Sequence, residues 1–341
     1  MARPNFMESG DGFMNETTAP VHINTPTEKK LWLWTGFLGV LLLAAVVIFG
    51  PYVLFIALTS YVVALIIEWA FAKSRGMKID RAWMITPMII TLMLPPIIPL
   101  WIAGVATGFG VFFGKAIFGG HGRTVFNPAL VGVLFVLISF PSQLNTQWFE
   151  PKDHGPLMPS TENIGHPDFD VENDAVSSPA LLRIPGNYTT GDFLLGRTAG
   201  AVGETFMIGI ITLGIGLMLL KVFDWRVPLA LLGTMVVLTL IMNLVGTGYP
   251  SPVTSLLVGS ATFAAFFVAP DPVTSPIKSW GKVVYGIGAG ILIFLIRYEA
   301  AAVDGVVFGL IIMNAITPLI DSWFNASSAE TKTSDETKEA T

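Results

Sequence analysis

Leu31-Trp-Leu-Trp-Thr-Gly-Phe-Leu-Gly-Val-Leu-Leu-Leu-Ala-Ala-Val-Val-Ile-Phe49 is an uninterrupted apolar run. A helix needs roughly 20 such residues to cross a hydrocarbon layer of about 30 Å. Residues 1–30 before it are polar and offer no cleavable leader pattern, so the run is expected to stay as a span. Working outward, similar runs recur at 52–71, 83–99, 100–118, 128–141, 204–222, 226–245, 253–270, 281–297 and 303–321. Composition agrees: 52% of residues are hydrophobic, 13% are charged and the mean hydropathy is +0.67, far from the roughly 25% charged residues of soluble domains. The sequence predicts an all-α integral membrane protein of about ten transmembrane helices.

Threading these spans from a cytoplasmic N-terminus places Lys29, Lys30, Lys73, Arg75, Lys78, Arg81, Lys115, Arg123, Lys221, Arg226, Lys278 and Lys282 inside. Only Lys152, Arg183, Arg197 and Arg297 fall outside. That excess is the positive-inside pattern, and the opposite threading inverts it. Both termini are therefore expected in the cytoplasm of a bacterial-type inner membrane. The chain divides into an N-terminal extension (1–30), a first five-helix half (31–141), an outer loop (142–203), a second five-helix half (204–324) and a Ser/Thr/Glu/Lys-rich tail (325–341) expected to be disordered. Five crossings per half is an odd number, so the halves start on opposite sides and can form an inverted repeat.

Each half carries a broken stretch. Pro95-Pro96-Ile-Ile-Pro99 and Gly119-Gly-His-Gly-Arg-Thr-Val-Phe-Asn-Pro128 lie in the first, and Ala269-Pro-Asp-Pro-Val-Thr-Ser-Pro276 in the second. Backbone freed at membrane depth must be buried in protein or line a cavity, so the breaks are candidate ligand sites; the alternative is ordinary turns at span ends. The net charge of −5 shows no basic excess for nucleic acid. With no cysteine, and with His22, His121, His154 and His166 at no metal-ligand spacing, there is no metal or thiol chemistry, so redox work needs an organic cofactor. Gly286, Gly288 and Gly290 open no βαβ unit and are read as close helix packing. To this point a transporter, a channel and a cofactor-carrying membrane subunit are equally supported.

Ordered motifs decide between them. Leu94-Pro-Pro-Ile-Ile-Pro-Leu-Trp101, Phe118-Gly-Gly-His-Gly-Arg-Thr-Val-Phe-Asn-Pro-Ala-Leu130 and Phe140-Pro141 are followed by Leu195-Gly-Arg-Thr-Ala-Gly-Ala-Val-Gly-Glu-Thr205, Asp271-Pro-Val-Thr-Ser-Pro276, Gly281-Lys282, Ile296-Arg297 and Pro318-Leu-Ile-Asp321. From Glu68 to Trp323 the chain resembles the family of the B subunit of the sodium-translocating NADH:quinone reductase (NqrB) and the D subunit of the Rnf electron-transport complex (RnfD). The resemblance implies a membrane subunit, not a self-sufficient enzyme, that works with other subunits of an NQR/Rnf-type complex, passes electrons through flavin and contributes to Na+ or H+ translocation. The rival is a secondary transporter or channel on an inverted-repeat scaffold without flavin.

Family members carry FMN on a threonine within a short acidic motif. Here Asp174, Ser177 and Ser178 of Asp174-Ala-Val-Ser-Ser-Pro-Ala180 match, but Ala180 stands at the acceptor position and has no hydroxyl. Covalent FMN is therefore not expected, and a non-covalent flavin (riboflavin or FMN) is. The resemblance places such a flavin at Asn127 and Thr124, where the asparagine amide can meet the ring edge; alternatively Asn127 caps the helix that Pro128 begins. Glu68, Asp271 and Asp321 match acidic positions of the relatives' ion pathway, against the alternative that each reaches water from a span end. A glycine pair linked to quinone in the pump falls at Ala64-Leu65, which leaves quinone binding by this chain without those residues. Asp80 and Asp224 are expected to be solvated in charged loops, and Arg297 to pair with Glu299 or a lipid phosphate.

Overall fold

The structure, a computed structural model, describes residues 26–76, 78–79, 81–145, 189–198, 200–299 and 305–339, and among these there is no β-strand. The first half comprises α1 (Glu28–Phe49), α2 (Tyr52–Arg75), a 3-10 turn (Arg81–Met84) leading into α3 (Ile85–Met93), α4 (Leu100–Val111) ending in a π-helical turn (Phe112–Ala116), and α5 (Pro128–Ser139). Two short helices, α6 (Pro141–Asn145) and α7 (Thr190–Leu195), precede and follow the segment 146–188, which lies outside the described residues. The second half holds α8 (Met207–Leu219), α9 (Arg226–Leu244), α10 (Pro252–Leu257), α11 (Ala261–Phe267), α12 (Ser279–Glu299) and α13 (Val306–Glu339). Taking α10 and α11 as one interrupted span, each half has five crossings.

Packing repeats between the halves. In the first, helix one packs on three, two on three and four, and four on five; in the second, α8 packs on α11, α9 on α10, α11 and α12, and α12 on α13. Between the halves α1 meets α8 and α5 meets α13. Equivalent helices facing one another is the contact pattern that a repeat related by a pseudo-two-fold axis would produce.

The long helices α1, α2, α9, α12 and the Val306–Phe324 part of α13 have the length and apolarity of membrane spans. They leave side chains such as Val47, Leu58 and Leu244 exposed outward, where lipid replaces water. The third span of each half is the opposite: every residue of α3 and of α11 is buried. These broken spans run through the centre, so their unpaired backbone ends meet protein. Exposed Trp32, Trp69, Trp225, Trp280 and Trp323 all fall, by alternation of the crossings, at the face where α1 begins. Such a belt marks a membrane–water boundary; this is the near face, and the other is the far face.

Span boundaries differ from the sequence expectation in two places. The run at 83–99 is helical only to Met93, because Pro95, Pro96 and Pro99 cannot extend the ladder. There the Leu92 and Leu94 carbonyls accept instead from Gly203 N (2.7 Å) and Val202 N (3.0 Å). The run at 253–270 breaks at Val258–Ser260, where Val258 is extended and Gly259 has φ +78°, a conformation glycine adopts freely. The backbone of α13 also stays helical to Glu339, through the tail that composition marks as disordered. The glycine run packs helices as expected: a Cβ at Gly286 or Gly290 would meet α9 backbone at 2.8 and 2.7 Å, and one at Gly288 would meet Met313.

Candidate functional site

The seam between the halves on the near face is built around Asn127. Its Oδ1 accepts from Ala129 N at 3.0 Å, which caps α5 ahead of Pro128. Its Nδ2 donates to Asp271 Oδ2 at 3.1 Å, and Asp271 Oδ1 accepts from Val273 N at 3.0 Å. One amide thus joins a first-half helix start to the loop that follows α11. Helix α13 closes the seam with a stripe. Asn314 lies 2.8 Å from the Tyr285 hydroxyl and, with its amide oxygen turned to Asn127 N, accepts that bond at 3.1 Å. Thr317 donates to Thr274 O at 3.1 Å, and Asp321 accepts from Ile277 N at 3.0 Å. The two aspartates therefore pin both ends of the 271–277 loop, and both are buried rather than reaching water.

A cavity of about 20 Å³ lies beside this network, with Thr86, His121, Thr124, Asn127 and Asp271 in its wall. That is room for a water molecule. A three-ring isoalloxazine does not fit, and the Asn127 amide already has partners at both ends. Asn127 and Thr124 are thus buried where a flavin is expected, but the space around them suits water or a small cation. The Asn127–Asp271 contact is testable by its sign. Aspartate caps a helix as well as asparagine does, yet here it sets a second carboxylate against Asp271. Asn127→Asp is therefore expected to lower the unfolding temperature of detergent-solubilised protein, while Asn127→Ser loses less. Equal melting of Asn127→Asp and wild type would rule the contact out.

Glu68 is buried and its carboxylate lies 2.6 Å from Lys115 Nζ. Threading by hydropathy puts Lys115 at the inner end of the 100–118 span. Instead the π-helical turn carries it inward, to 1% exposure, and Arg75 Nη2 donates to Ala116 O at 2.7 Å just beyond. Arg297 is also corrected: it is 3% exposed and donates from Nη1 to Ser255 O (3.2 Å) and Val258 O (3.1 Å), carbonyls freed by the α10–α11 break. It does not reach out to lipid. Asp224, expected to be solvated, pairs with Lys282 Nζ at 2.9 Å and Arg226 Nη1 at 3.2 Å and accepts from the Arg226 backbone N at 3.1 Å. Partial burial works to raise its pKa, but those bonds and charges prevail and hold it below the usual carboxylate value.

Glu68, Asp271 and Asp321 share the near face but keep separate partners. Asn314, Thr317, Tyr285 and Thr86 are not singled out by sequence reasoning, and Lys115 only as a cation on the inner side. A signal existed for two of them, since Asn314, Thr317 and Asp321 fall on one face of an otherwise apolar helix. Asp80, Asp174, Ser177, Ser178 and Ala180 lie outside the described residues.

The model of the NQR2, RnfD, RnfE family matches residues 16–329. The chain is 31% identical over 340 residues to the D subunit of the ion-translocating oxidoreductase complex of Halorhodospira halophila, covering 91% of this chain and 94% of that protein. It is 31% identical over 301 residues to the protein of the same name from Ectopseudomonas mendocina, covering 82% and 85%. It is also 29% identical over 279 residues to the B subunit of the Na(+)-translocating NADH-quinone reductase of that organism, covering 80% of this chain and 66% of that protein.

Proposed function

Because the chain belongs to the NQR2, RnfD, RnfE family, we propose that it is the membrane subunit of an NQR/Rnf-type complex that uses electron flow through flavin to move Na+ or H+. The supporting observation is the set of carboxylates Glu68, Asp271 and Asp321, all buried on one face of an inverted repeat. A carboxylate costs at least about 2.5–3.5 kcal/mol at membrane depth, and carboxylates offer hard oxygens to a cation or accept a proton. In this reading the near face is cytoplasmic, both termini lie there in the bacterial inner membrane, and ions enter from that side.

Flavin supplies the one- and two-electron chemistry of the complex when bound. The contribution of this chain's own residues is to hold charge and exclude water: Asn127 and Val273 N orient Asp271, and Ile277 N orients Asp321. No electron-transfer step is assigned to Asn127, since the adjoining cavity is too small for the ring. The second reading, a transporter or channel without flavin, rests on the interrupted central spans α3 and α10–α11, buried throughout α3 and α11.

The discriminating experiment takes the purified complex, extracts flavin with acid, weighs the intact chain and follows cation uptake into proteoliposomes with ²²Na+ and a pH-sensitive dye. Acid-released flavin, an unmodified chain mass and uptake driven by reductant are the expected results. A mass increase of one FMN overturns the inference from Ala180. Uptake that runs without reductant, from a flavin-free complex, overturns the redox role in favour of the transporter.

A further inference from the structure

Each half buries a cation near the end of its fourth helix. In the second half it is Arg297, whose Nη1 donates to both the Ser255 and the Val258 carbonyl, with the Thr239 hydroxyl of α9 donating to Ser255 Oγ at 3.3 Å. In the first half it is Lys115, paired with a carboxylate on the second helix, Glu68. The alternation of crossings puts these two places on opposite faces. The scaffold is therefore duplicated, while the chemistry is not: one end has a rigid guanidinium satisfying carbonyls, the other a flexible point charge on a carboxylate.

We propose that the Lys115 ammonium is a tethered substitute for the transported cation at Glu68. It neutralises the carboxylate while the site is empty and swings away when an ion arrives. The proposal rests on Glu68 belonging to the ion path. Both groups are buried, with side chains 2% and 11% exposed, and no other hydrogen-bond donor among the described residues reaches Glu68 Oε1. Compensation of that oxygen is thus carried by the ammonium's charge, and a bare carboxylate in such surroundings is strongly disfavoured. An arriving cation can replace the ammonium without the site ever losing its positive charge.

The local backbone supplies the means. Lys115 sits in the π-helical turn Phe112–Ala116, where Ile117 N bonds Phe112 O across five residues at 3.1 Å. Such turns are rare and recur at functional sites. Reverting to α-helical pairing would rotate Lys115 relative to α2 and give the ammonium the second position the proposal calls for.

The test uses the reconstituted complex with wild-type chain, Lys115→Gln and Lys115→Arg, with rates expressed per assembled complex and reductant-driven uptake followed by ²²Na+ and pH dye. Removing an internal competitor is expected to lower the half-saturating Na+ concentration about tenfold. Maximal uptake in Lys115→Gln falls about tenfold as well, because release loses its displacing charge. Lys115→Arg restores assembly but not the uptake rate. Unchanged half-saturation and uptake in assembled Lys115→Gln, or full recovery in Lys115→Arg, makes the pair a structural brace and overturns the proposal. A wild type that takes up protons alone is judged on the maximal rate by the same comparison. A wild type that turns over with no reductant-driven uptake of either ion overturns the assignment of Glu68, and this proposal with it.

Discussion

Gly132→Val is expected to abolish recovery of folded protein from the membrane. At the α4–α5 crossing the two backbones are in contact, and a Cβ placed on Gly132 would lie 2.2 Å from Ala106 O. From the other side, a Cβ on Gly110 would lie 2.5 Å from Pro128 O, and one on Gly114 would lie 2.7 Å from Pro128 Cα. The obstructing atoms are main chain, so no rotamer change relieves the clash and the helices must separate. Ordinary overpacking costs about 1–3 kcal/mol; backbone against backbone in a close small-residue crossing exceeds that range. The consequence spreads, because α4 leads into Lys115 and α5 begins at Asn127, so separating the pair also dismantles both polar sites. Gly233→Val is the control, since nothing lies within 4 Å of a Cβ there. The check is the monodisperse peak after detergent extraction: the expected pattern is loss for Gly132→Val and wild-type yield for Gly233→Val. Equal yields would show that the crossing is looser than described.

Arg297→Met is expected to have the next largest effect. It keeps the bulk of the side chain but removes the donor to Ser255 O and Val258 O at the interruption of the central span. Each buried carbonyl left unpaired costs about 1–3 kcal/mol, and neither can turn to water, because Ser255 and Val258 are both buried. Two such losses correspond to a fall in unfolding temperature on the order of 5–10 °C. Arg297→Lys, with a compact ammonium on a different stem in place of the planar guanidinium, is expected to recover part of it. Thermal unfolding in detergent measures this; Arg297→Met melting with wild type would mean that the α10–α11 break is held by something else.

Much of this architecture is legible in the chain. Apolar runs outline the membrane helices, and proline and glycine mark the interruptions near Leu94, Asn127 and Asp271. The α10–α11 interruption carries no such mark, because Val258, Gly259 and Ser260 include no proline and one glycine in an apolar run is common in membrane helices. Lys115 and Arg297 escape a sequence reading for a shared reason. Hydropathy treats a cation near a span end as an end marker, whereas a π-helical turn or a neighbouring helix break can draw it inward.

Solvent and helical class are written in the linear chain. They depend on local apolarity and on the cost of breaking a helix in lipid, both properties of short segments. Partners are a different matter, and they come from the folded molecule alone: Asn127 with Asp271 across 144 residues, Glu68 with Lys115, and Arg297 with the carbonyls of a broken helix. Which oxygen meets which cation depends on how two duplicated halves dock, and that interaction is between helices distant in the chain, where no periodicity or local spacing records it.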